Sequence, residues 1–128
     1  LFELPSSFYY LGKILMANRR PVHAMRNYRE GSLLGDPKSQ YLYARALFVG
    51  RGIQKDVQGA FKWFHQSSNS GNADGQYWSG FCKLCGIGTL RNTKKALHLI
   101  SQSAINGNLR ARLHLQYLNN RKIQIIDQ

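Results

Sequence analysis

Apolar residues recur at helical spacing along almost the whole chain, and the runs are broken at intervals by a glycine followed by a short polar residue: Gly35-Asp36, Gly71-Asn72 and Gly107-Asn108. A glycine that ends one helix and an Asp or Asn that caps the next is the punctuation of consecutive helices. The pattern therefore predicts an all-helical chain. The first helix starts at Ser6 and Ser7 after Pro5, carries Phe8, Leu11 and Leu15 with Gly12 on one face, and ends near Arg19. Pro21 opens a second helix with Val22, Ala24, Met25 and Tyr28 at helical spacing as far as Gly35. Asp36-Pro37 opens a third, with Leu42, Tyr43, Ala46, Leu47 and Val49 as its apolar positions. Asp56 caps a fourth over 57–70, with Ala60, Phe61, Trp63 and Phe64 facing the core. The remaining predictions are helices over 73–85, 93–106 after the cap Asn92, and 109 to about 120. Ile123, Ile125 and Ile126 then supply apolar cover for the end of the stack.

The punctuation is periodic because the chain is. Gly50, Gly52, Ala60, Ser68 and Gly71 reappear 36 residues later as Gly86, Gly88, Ala96, Ala104 and Gly107. Going the other way, Ala24, Ser32 and Gly35 fall on the same skeleton, although Ile14 and Met16 stand where the glycine pair should be. A fixed period of this length means one supersecondary unit that hides its apolar face only against its neighbours. Seven helices make units 5–40, 41–76 and 77–112 and a partial unit 113–128, within one domain over 1–128. Ala24, Ala60 and Ala96, and separately Ala44 and Gly80, mark positions of close helix approach.

Composition narrows the partners more than the fold. Of 128 residues, 18 are Lys or Arg and 6 are Asp or Glu, a formal charge of +12 that attracts nucleic acid, anionic lipid or an acidic protein face. No apolar run is long enough to cross a bilayer, so a soluble chain is expected. It opens on Leu1 rather than Met, which leaves room for an upstream segment such as a signal peptide. Two cysteines are too few for a disulfide-dense secreted scaffold.

The residues of 39–71, with Gly50, Gly52, Ile53, Asp56, Ala60, Trp63, Phe64 and Gly71 in place, resemble the Sel1-like repeat, a relative of the tetratricopeptide repeat. Residues 75–107 keep Gly80, Gly86, Gly88, Ala96, Ala104 and Gly107, but have Asn92 for the Asp and Leu99 for the Trp. The resemblance implies an all-α fold, an α/α right-handed superhelix of about three and a half two-helix repeats of 36 residues. It also implies a non-enzymatic adaptor that binds a protein or peptide on its concave side, in a bacterial envelope or in the cytoplasm. Some relatives bridge the helices of a repeat by disulfides; Cys82 and Cys85 lie on one helix and do not have that spacing.

Catalytic chemistry finds little material in the chain. Cys82-Lys83-Leu84-Cys85 closes a helix, whereas a thioredoxin-type pair starts one, and His98 and His114 lie at no metal-like spacing from it. The glycine turns lack the Gly-Lys-Ser/Thr ending of a phosphate loop. Neither a nucleophile triad nor paired carboxylates can be picked out, so no enzyme, cofactor or metal is expected. Basic residues recur in register, Arg19, Lys55 and Arg91 before the second helices and Arg26, Lys62 and His98 along them, which sets nucleic-acid binding on a basic ridge as the alternative. The favoured site is the concave groove. Two positions of the first helix in each unit, usually polar in the family, hold Ser6 and Tyr9, Leu42 and Arg45, Trp78 and Phe81, and His114 and Tyr117. Aromatic residues and arginine are the usual anchors of interfaces. Tyr9, Leu42, Arg45, Trp78, Phe81, His114 and Tyr117 are thus the expected partner-binding residues, with Trp78 and Phe81 as exposed rings and the partner acidic.

Overall fold

A computed structural model describes residues 4–126 of the chain, with side chains to Arg121. Among these residues there are seven α-helices and no strands: α1 (Pro5–Ala17), α2 (Pro21–Leu33), α3 (Pro37–Val49), α4 (Val57–Asn69), α5 (Ala73–Cys85), α6 (Thr93–Ile105) and α7 (Leu109–Ile126). Consecutive helices pack on one another in chain order, which makes an all-α repeat superhelix. First helices also touch first helices, α1 with α3 and α3 with α5. Second helices do not approach one another to that degree, so the first helices form the inner side of the curve.

The caps lie at the expected places. Asp36, Asp56, Asn72 and Asn92 each accept a hydrogen bond from the backbone N–H three residues on, and Asn108 does the same for Ala111 at 2.8 Å. The predicted cap at Ser6 and Ser7 is a correction: Pro5 is already helical, Leu4 precedes it, and the Ser7 hydroxyl donates back to the Leu4 carbonyl. α7 also continues to Ile126, past the predicted end at about Asn120, because no glycine or proline follows Gly107 to stop it. The end cover expected of Ile123, Ile125 and Ile126 concerns side chains outside those described.

Ala24, Ala60 and Ala96 are fully buried where α2, α4 and α6 cross their first helices. The core runs through the stack in two clusters, one around Tyr28, Leu47 and Phe64 and one around Tyr77 and Ile100. Trp78 packs against both. The turn glycines serve the contact between units. Gly52 and Gly88 have φ of +73° and +70°, and a side chain at either would strike the carbonyl at the start of the preceding second helix, at Pro21 or Val57.

The first unit departs from the 36-residue step. Pro5 and Pro37 both take the first helical position 32 residues apart, because the turn between α1 and α2 is Asn18–Arg20 while that between α3 and α4 is Gly50–Asp56. The close helix crossing shows the same offset: Gly12 lies against the Tyr28 ring as Gly80 lies against Ile100. Gly12, Ala44 and Gly80 therefore share one position, and α1 is displaced by four residues, about one helical turn, from the register that the period alone predicts.

Candidate functional site

A cavity of about 630 Å³ opens on the inner side, where α1, α3, α5 and α7 follow one another. Its floor reaches the core: Phe64 is fully buried, and Tyr28, Met25 and Ala46 nearly so. Leu42, Phe48 and Trp78, all half-buried, form the walls. Four exposed cations, Lys13, Arg45, Arg51 and Arg110, stand around the opening, and among the described residues no carboxylate lines it.

Two of those cations lie across aromatic rings. The Arg45 guanidinium is 5.6 Å from the centre of the Tyr41 ring, and that of Arg110 is 5.7 Å from Trp78. A guanidinium over a ring face still has N–H groups to offer a carboxylate, and the contact biases its orientation before any ligand arrives. Trp78 is itself held by its neighbours, stacked on Phe64 at 5.8 Å and tilted against Phe48 at the same distance. Burial pushes the Tyr28 hydroxyl up to about 12, with Tyr9 adding to the shift and Arg45 opposing it. Burial also raises Tyr41, again against the pull of Arg45. Both phenols therefore stay protonated and can donate hydrogen bonds.

Of the seven expected residues, Leu42, Arg45 and Trp78 come together in this cavity. Tyr9 does not. With α1 displaced by four residues, Lys13 takes the position of Arg45, and Tyr9 turns to a separate hollow of about 280 Å³ with Asp36, Lys38 and Asn72. Phe81 is half-buried, stacked on Tyr77 at 6.3 Å and edge-on to Trp78 at 5.6 Å. Trp78 and Phe81 are thus packed rings and not the freely exposed pair that was expected. His114 meets the Tyr77 hydroxyl at 3.3 Å, and Tyr117 is 58% exposed outside the cavity. Sequence reading missed Lys13, Arg51 and Arg110. Pro5 and Pro37 as matching helix starts would have located Lys13, and Arg110 is the second residue of its helix as Lys38 is of its own, where that lysine lies over the Tyr9 ring.

The two thiols differ in setting. Cys82 is fully buried and pushed up to about 11 by burial, whereas Cys85 is exposed, and both are free. Among the described residues no group of three His, Cys, Asp or Glu is placed to hold a metal ion. None of the described helices is long and apolar enough to cross a membrane.

The repeat seen in the helices has a known counterpart, since the Sel1 repeat profile matches residues 37–72 and again 73–108. The chain belongs to the Sel1 repeat family. Members are generally protein-interaction scaffolds and typically non-catalytic. Solved Sel1 repeat structures superpose over most of the chain. One is a protective antigen of uropathogenic Escherichia coli strains displaying an SLR fold, 25% identical over 92% of this chain with a TM-score of 0.84. Another is a Sel1 repeat protein from Oxalobacter formigenes, 26% identical over 90% with a TM-score of 0.81. This chain spans 26% and 35% of the lengths of those two proteins. The cysteine-rich protein B of Helicobacter pylori, 17% identical, shares the fold over 78% of this chain and 77% of its own, with a TM-score of 0.71. No curated protein matches the sequence.

Proposed function

We propose that the chain is a non-enzymatic binding module whose inner groove takes an acidic segment of a protein partner. The observation that carries this reading is the cavity rim: Lys13, Arg45, Arg51 and Arg110 stand around an apolar floor with no carboxylate among the lining residues, Asp74 lying outside the lining although near enough to act on Tyr41. Opposite charge steers encounter and selects among partners, while the buried apolar area beneath supplies affinity. Arg45 and Arg110, already laid on Tyr41 and Trp78, lose little freedom when they meet a carboxylate.

A displayed library of random peptides tests the reading. The chain should enrich Asp- and Glu-rich sequences, and Arg45→Glu with Arg110→Glu should abolish the enrichment while leaving the helical circular dichroism unchanged. Oligonucleotides form the competing arm. If they bind with a steep salt dependence that falls on changing Arg19, Lys55 and Arg91 to Glu, the groove reading is wrong and the basic ridge is the site.

A further inference from the structure

We infer that the acidic partner segment carries a leucine-sized or aromatic side chain between its carboxylates, and that this side chain enters the cavity beneath the cationic rim. The inference rests on the reading above and adds which chemistry occupies the interior of the groove. A purely acidic ligand needs only a cationic surface. Here the cations surround an opening that descends to Phe64, Tyr28, Met25 and Ala46, all of them core residues. Protein interiors ordinarily close such spaces, and a cavity of about 630 Å³ is within the range that holds a small ligand or a large side chain.

Tyr28 gives a second, independent sign of a ligand. It is 3% exposed and lines the cavity. Its hydroxyl has no hydrogen-bond partner among the described residues, yet it is not among the buried polar atoms closed off without one. The residue lines the cavity, where the main chain of an inserted segment would offer a carbonyl to accept from the hydroxyl. Trp78 faces the same space under Arg110, so one side chain of the partner would meet a ring while a neighbouring carboxylate meets the guanidinium above it. Acid, apolar residue and acid in succession is the pattern that satisfies floor and rim together.

Three synthetic nine-residue peptides decide the matter, titrated calorimetrically against the whole chain at low and physiological salt. The first has three glutamates, a leucine and three glutamates between terminal glycines; the second has glycine for the leucine; the third has glutamine for every glutamate. The leucine peptide should bind roughly tenfold or more tightly than the glycine one. The glutamine peptide should also be the weaker, and that loss should fade as salt rises. Ala46→Met, which fills part of the floor, should bring the leucine peptide down to the level of the glycine peptide and leave the latter unchanged. Equal affinity of the leucine and glycine peptides for the unaltered chain overturns the anchor while the acidic reading stands. If neither acidic peptide binds even at low salt, both fall. The unaltered chain decides this comparison even if Ala46→Met fails to fold.

Discussion

Taking the helix pairs α1–α2, α3–α4 and α5–α6 as the units, every helix of the second and third begins on a side-chain cap, from Asp36, Asp56, Asn72 or Asn92, while α1 and α2 begin after Leu4 and Arg20, neither of which supplies one. The second and third units also tie the far end of the second helix to the start of the first: the Ser67 hydroxyl donates to the Pro37 carbonyl at 2.8 Å, and that of Ser103 to Ala73 at 2.5 Å. Gly31 stands at that position in the first unit, and a side chain there would strike Ser39 of the next. What remains to close the first pair is packing, chiefly the Tyr28 ring laid on Gly12. The polar ties of this repeat are thus exchangeable for shape. The groove is affected as well, since the short turn that replaces the glycine loop sets α1 one turn along and brings Lys13 to the rim.

The largest effect is expected at Gly12. A methyl group there would enter the Tyr28 ring, so Gly12→Ala should destabilise the chain by about 1 to 3 kcal/mol in chemical denaturation, as overpacking does. An ordinary helix would instead gain about 1 kcal/mol from the same change, and that gain would show that Gly12 is not the crossing point. Ala60→Leu, in the second unit, belongs to the same range, because Ala60 is fully buried against α3.

Caps come next. Asp56→Ala and Asn92→Ala should each cost about 1 kcal/mol, since each leaves an N–H at the helix start without its acceptor. Arg20→Asp, supplying the first unit with what it lacks, should move the midpoint the other way by a smaller amount. An unaltered or lowered midpoint would mean that the Arg20 backbone, at φ −118° and ψ 67°, does not admit a cap.

A finer difference separates the second unit from the third. The Gln76 side-chain oxygen accepts from Asn106 at 2.9 Å, but the matching oxygen of Gln40 is buried without a partner, because Ser70 stands where the third unit has Asn106. Ser70→Asn should restore that bond and stabilise the chain by about 0.5 to 1.5 kcal/mol. A thermal midpoint that does not rise would argue that a water already serves Gln40.

The last effect is one of pH. Cys82 ionises at 9.0 in an ordinary setting and at about 11 in its buried one, so its contribution is complete below pH 9 and is lost as pH climbs towards 11, where the unfolded chain carries the thiolate and the folded one resists it. Denaturation midpoints should fall over that window, and Cys82→Ala should flatten the fall. Tyr28 contributes in the same direction at higher pH.

Periodicity alone determined the helical repeat, its punctuation and the starts of α2 to α7, because helix caps and crossing residues are local: Asp36 needs only Ser39, and Ala60 or Ala96 need only be small wherever two helices meet. The resemblance to the family had pointed to Leu42, Arg45 and Trp78, at first-helix positions that are usually polar in it, and these three line the cavity. The tertiary structure decided the rest. A turn shorter by four residues is nearly invisible in a pattern of apolar spacing, yet it displaces α1 by a helical turn and exchanges Tyr9 for Lys13 at the rim. The exposure of Trp78 and Phe81 likewise depended on Phe48, Phe64 and Tyr77 closing around them, which rests on side chains brought together from separate helices.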